Sequence, residues 1–408
     1  MELNISKIKD FFRYDPSSAN KRERDPDIRT NMYYERVSYR YGYAAKILCV
    51  LLALIMLVFV FSGSISYDKF YYLVKDFGIA ADFVSSNYRT ITYGVGNSQS
   101  YALYHGGLAV ASREGISLYT AGGGEMLSLT HQYGNPVIIS SSKYALLYDL
   151  GGKQYSLYNS FSKTYEEKLD YPIYHAVIAD TGEYAIVTSS KDYRSVLRVY
   201  DKNGKRYDYN FSSSYIYSVA MSSDASRIAV ALSEGNGEGF ASEIRLYSVG
   251  RSDYKSAKLS FSSAPLEIGF FENGNLCAVG RDGVNVFNRN LKLDEKYDAE
   301  RSVYAYSVSE DGVALAYLED NGSSSRVVVL DKRGKEKYSE KTLGKVLDLA
   351  IYEKYLFLQT PSGFARINTG KPGRREDISL VSSDFSMLVS DSKTILICNS
   401  SYARYVKF

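Results

Sequence analysis

The 408-residue sequence holds three histidines, His105, His131 and His175. None lies at metal-ligand spacing from another His or from a Cys, so each reads as a strand or turn residue. The serine-rich tracts contain no G-x-S-x-G elbow that would aim a nucleophile. The glycines at 122–124 are followed by no P-loop lysine and helix, so they read as a turn. Asp180, Asp224 and Asp311 recur at the same place in three similar segments. Together they could form a ring of ligands along one edge. Hairpin turns, in which each carboxylate bonds its own backbone, explain them more simply, and Gly182 and Gly312 beside them suit such turns. The acidic stretches 234–238 and 320–322 lack EF-hand spacing and read as loops. These residues imply no catalytic centre, no metal and no cofactor. The expectation is a protein that is not an enzyme.

Cysteine settles little. Cys49 sits in an apolar run, and Cys277 and Cys398 are far apart in sequence. A bond between the last two is open, though small buried hydrophobes are the simpler reading. Charge is more informative when divided. Residues 1–46 carry ten basic and seven acidic side chains, which accounts for the whole formal charge of +3. The rest is neutral, which argues against a body that holds nucleic acid by bulk electrostatics. The group Lys371, Arg374 and Arg375 reads as a solvated loop. With 40 Tyr and no Trp, the composition suits half-exposed strands whose aromatic bodies pack while the hydroxyls stay wet.

The elements that must position these residues sort around one stretch. Residues 47–61, ILCVLLALIMLVFVF, contain no charge and no hydroxyl. With its flanks the run reaches roughly 20 residues, enough for a helix to cross a hydrocarbon core of about 30 Å. A transmembrane helix is expected over 43–65. More than forty residues precede the run, too many for an ordinary signal peptide. Arg36, Arg40 and Lys46 stand among five tyrosines directly before it, and basic residues at a membrane interface are kept on the cytoplasmic side. Residues 1–42 are therefore expected to form a cytoplasmic basic tail. Phe70, Leu73, Val74 and Phe77 then follow helical spacing up to Gly78, so 66–86 reads as an amphipathic linker helix.

From residue 87 to 408 the period changes to two. Segments starting at His175, Ser218 and Ala305 each run strand, Asp-centred turn, strand, variable loop, third strand, then a Gly turn. VYDKNGK closes the first and VLDKRGK the third. Weaker copies start at Gly107, Lys143, Asn275 and Lys354. A spacing of roughly 35–50 residues is that of four-stranded propeller blades. Seven units fill about 100–380, and an unfinished unit follows. A lone strand at 88–95 can complete it, removing two exposed sheet edges. The expected fold is all-β, a propeller of eight blades, or seven if one weak copy is not a blade.

These repeats resemble extracytoplasmic propellers of the WD40-like and quinoprotein-like kind. With the anchor ahead of them, the chain is similar to a bacterial family of single-pass membrane proteins that carry such a domain of unknown function. No Trp-Asp dipeptide closes any repeat and no Trp exists to dock quinoprotein blades, so no quinone cofactor is expected. The implied location is the cell membrane, single-pass, with the N-terminus cytoplasmic and the propeller outside. The implied role is an interaction scaffold that meets membrane lipid through its anchor and a protein partner of the envelope or membrane. A Tyr-lined channel binding a small ligand or glycan is the alternative. A propeller hydrolase comes third, and would need a pocket with two converging acids of shifted pKa. The variable loops 191–195, 234–242 and 321–325 are the candidate contact surface.

Overall fold

The computed structural model describes residues 32–61 and 90–408, apart from 95–98, 142, 161, 202–203, 205, 237–238, 320–321, 372–373 and 382–383. The tail up to residue 31 and the linker helix expected over 66–86 lie outside the described residues. Contacts divide the chain into two compact units, Met1–Val74 and Lys75–Phe408.

In the first unit, α1 (Met32–Phe61) is a single helix of 30 residues, about 45 Å long at 1.5 Å per residue. It starts eleven residues earlier than the expected span, so Arg36, Arg40 and Lys46 are helical rather than in a separate segment before it. Leu48, Val50, Leu51 and Leu52 are 58, 59, 51 and 54% exposed. Four neighbouring apolar positions cover more than one face of a helix. Among the described residues, no helix is long and apolar enough to cross a membrane. Within 43–65, the side chains of 54 and 56–61 and the whole of 62–65 lie outside the described residues.

The second unit is built from eight four-stranded antiparallel sheets. We number them as blades 1 to 8, at residues 100–130, 136–168, 175–211, 215–258, 267–298, 303–343, 348–379 and 386–407. Successive innermost strands pack on one another around a channel, and those of blades 1 and 8 meet to close the ring. The eighth blade is completed from the other end of the sequence. The strand Ile91–Thr92 pairs with Tyr402–Lys407 in the register Ile91↔Ala403 and Thr92↔Tyr402. This closure matches the expectation, but the strand is shorter than 88–95. Residues 88, 89 and 95 lie outside the described residues.

Burial explains which sequence became which strand. Second and third strands are covered on both faces, as in Tyr184–Thr188 and Gly283–Phe287, where every residue is buried. Outermost strands alternate, as in Leu293–Asp298 (LDEKYD), and their charges guard the open edge. Cores lie between neighbouring blades, so each strand serves two of them.

Tyrosine does more of this packing than composition suggests. Tyr104, Tyr155, Tyr158, Tyr184, Tyr200 and Tyr317 are among the largest fully buried side chains. Between blades 2 and 3, Tyr184 and Tyr200 stack at 4.9 Å and 10°. Tyr155 leans on both and donates its hydroxyl to Glu167 Oε2 at 2.6 Å. These rings fill core volume, while most other described tyrosines of the propeller are half-buried or exposed, as expected. Cys277 and Cys398 are buried, unbridged thiols.

Antiparallel alternation gives the ring two unlike rims. One, the inner-turn rim, carries the turns that link innermost to second and third to outermost strands. The linker rim carries the turns from second to third strand and the connections between blades. The described residues of the loops, 191–195 and 322–325, lie on the linker rim, and so does the Asn236–Gly239 end of the hairpin within 234–242. That last stretch is largely strand. The hairpin Arg227–Asn236 and Gly239–Ser248 stays paired as far as Asn236 and Gly239, beyond the ends of its neighbours in blade 4.

Candidate functional site

At the inner-turn rim the channel holds a cavity of about 830 Å³, walled by blades 2 to 6. Ser140, Ile178, Met221, Phe270 and Val308 come to it from the innermost strands of those five blades. In blade 5 Glu267 and Gly269 also line it, and period-two alternation sends Ile268 between them into the core between blades 4 and 5. The turns after these strands bring Asp180, Asp224, Glu272 and Glu310 to the lining, and Glu267 stands deeper, at the start of its strand.

The three recurring aspartates do lie in inner turns, but only Asp224 bonds its own turn as expected, while the carboxylate of Asp311 reaches the next blade. Asp224 Oδ1 accepts from Ser222 Oγ at 2.6 Å and from the Ser226 amide at 3.1 Å. Those bonds hold its carboxyl below the usual range. Asp311 Oδ2 accepts the Glu353 amide of blade 7 at 2.6 Å, and its Oδ1 lies 3.4 Å from Lys332 Nζ. Lys332 also pairs with Glu272, and its carbonyl accepts from the Asn273 and Asn275 side-chain amides. The rim is thereby sewn from blade 5 to blade 7. Gly182, with φ of +95°, fills its turn because a Cβ there would stand 2.6 Å from the Tyr144 ring.

Other groups in the cavity are less committed. Burial alone pushes the Glu267 carboxyl up to about 7. Glu310 is raised by burial first and then by the charges of Asp180, Glu272 and Asp311, against the pull of Lys332. The cavity thus contains two carboxyls of raised pKa, on adjacent blades and with no hydrogen bond between them among the described residues. Arg227 Nη1 donates to the Gly274 carbonyl at 3.2 Å while its guanidinium lies 4.9 Å from the Phe270 ring centre. Arg289 Nε donates to the Asn273 carbonyl at 2.7 Å.

Residues 84–400 match the model of a family of unknown function, DUF5711. The chain belongs to that family. No curated protein matches it. In fold, this DUF5711 chain is similar to BamB from Moraxella catarrhalis, at 12% identity over 79% of this chain and 99% of that one, with a TM-score of 0.51. AztD from Citrobacter koseri aligns at 12% identity over 71% and 86% of the two chains, with a TM-score of 0.49. At such identities the likeness is one of fold, an eight-bladed propeller in this chain.

The sequence expectations land unevenly on this geometry. The three histidines stay apart. His105 is in the inner turn of blade 1 at φ of +48°, His131 sits between blades 1 and 2, and His175 opens the innermost strand of blade 3. Among the described residues no cluster could hold a metal ion. No tyrosine lines the cavity, which is walled by serines, carboxylates and phenylalanines instead.

Sequence reasoning missed a layer of titratable groups. His175, Glu267 and Asp348 are each the first residue of an innermost strand, in blades 3, 5 and 7. Burial lowers the first and raises the other two. The available signal was a charged or imidazole residue opening a short apolar run, as in EIGF and DLAIY.

Proposed function

We propose that this protein is a membrane-anchored interaction module whose propeller meets a protein partner through its linker rim. One observation carries the reading. Ten of the thirteen exposed large apolar side chains described in the propeller belong to that rim. Tyr174, Tyr193, Tyr215 and Tyr217 gather on blades 3 and 4, and Leu343 and Val381, 86 and 77% exposed, mark blades 6 and 7. Exposed Tyr beside Arg is the composition of binding hot spots, and Arg194 lies over the Tyr215 ring at 5.4 Å. The extended blade 4 hairpin adds reach on the same side.

The anchor is α1. A helix apolar on several faces needs an apolar surround, and a bilayer supplies one for a run that continues to Phe61. Arg36, Arg40 and Lys46 then sit at the cytoplasmic interface and the propeller is outside. The role is non-catalytic, with no cofactor and no nucleic acid.

The test is co-purification of crosslinked partners from cells that express rim variants. Tyr215→Ser with Leu343→Ser should abolish recovery of the partner while the melting temperature stays unchanged. A matching pair on the inner-turn rim, Tyr254→Ser with Leu293→Ser, should leave recovery intact. Equal recovery from both pairs would refute the rim assignment.

A further inference from the structure

The cavity at the inner-turn rim is separate from the proposed partner surface and has its own chemistry. Gly274 is its pivot. A Cβ at this residue, whose φ is +79°, would stand 2.8 Å from Arg289 Nε and 3.0 Å from Arg227 Nη2. Both guanidiniums therefore converge on one turn, where the positive φ favours glycine and the missing side chain lets them sit close. Neither has an ion-pair partner among the described residues. Each spends one N–H on a backbone carbonyl and keeps further donors. Two such forks on one cavity wall make a receptor for a carboxylate.

The opposite charge stands one turn away. The Glu272 amide donates to the Glu310 carbonyl at 3.0 Å, and Glu272 is two residues from Gly274. Glu310 is thus fixed on the same wall, with the Asp180 charge near enough to raise its carboxyl. No ion pair engages its carboxyl among the described residues. Adjacent turns on one wall suit a short ligand that carries opposite charges at its two ends, and a cavity of about 830 Å³ admits it. Phe270, Met221 and Val308 supply apolar wall between the two ends.

The geometry points to a binding site for a short zwitterionic peptide, its free carboxylate on Arg227 and Arg289 and its free ammonium on Glu310. Side-chain selection falls to the apolar wall, which takes small aliphatic residues without demanding them.

Calorimetric titration of the full chain in detergent micelles with tri-alanine tests this. The free peptide should give saturable heat. N-acetylation and C-amidation should each weaken binding by about tenfold or more, as expected for loss of a charge-assisted pair. Arg289 is exposed, so Arg289→Ala keeps the fold; it should weaken the free and acetylated peptides but leave the amidated one unchanged. Glu310→Gln should do the converse. No heat from tri-alanine at millimolar concentration, or equal affinity for the free and both blocked peptides, overturns the proposal. Neither result touches the linker-rim reading, which rests on other residues.

Discussion

Replacing Glu267 by glutamine tests the burial argument at the channel wall. The carboxyl has an ordinary value of 4.5 and is pushed to about 7 by desolvation. The folded state therefore holds this proton more tightly than the unfolded chain does. The contribution to stability is complete below pH 4.5 and is lost as pH rises through 7. A difference of about 2.5 pH units at 1.36 kcal/mol each gives roughly 3 kcal/mol lost by pH 8. The Glu267→Gln side chain would keep the shape and shed the titration. The variant should match the parent at pH 4 and exceed it at pH 8 by about 3 kcal/mol, or roughly 5 °C in melting temperature for a domain of this size. Differential scanning calorimetry of both chains in the same micelles, from pH 4 to 8, reads the gap directly. A gap that stays constant with pH, or widens toward acid, refutes the argument. It would show that Glu267 is solvated or paired.

Three further outcomes follow from the packing. Tyr184→Ala removes half of the stacked pair between blades 2 and 3 and should cost about 3–5 kcal/mol in urea unfolding, as for other buried aromatic truncations. Ile91, 1% exposed, carries the two-residue strand that closes blade 8. Ile91→Asp should release that edge, lower the melting temperature and promote concentration-dependent association seen by light scattering. Cys277 and Cys398 are buried, and burial pushes both thiols up. Neither should react with a maleimide at pH 7 until denaturant unfolds the ring.

The propeller was legible because its signals are local. Asp-centred turns, Gly turns and period-two strands recur within one blade length, and the unpaired strand before the first repeat had one partner to find. The cavity was not legible, because its walls come from five blades. Glu267 and Glu310 are 43 residues apart in sequence order and look like any charged strand-end or turn residue. Arg227 and Arg289 meet only through Gly274. Which tyrosines go fully into the core was not legible either: Tyr155 and Tyr104 reach the half-buried Glu167 and the buried Ser160, partners that sequence spacing does not reveal. The variable stretch 234–242 looked like a loop because Glu, Gly and Asn disfavour strands. Cross-strand pairing along the hairpin overrides that preference.

Site-specific photocrosslinking in intact cells tests the central claim most directly. A photoreactive residue would replace Tyr174, Tyr215, Leu343 or Val381 on the linker rim, and Tyr254, Leu293 or Tyr352 on the other. The account predicts one adduct of constant mass from the linker-rim positions, in the membrane fraction, and none from the inner-turn rim. Adducts spread evenly over both rims, or a chain recovered free of membrane, would contradict it.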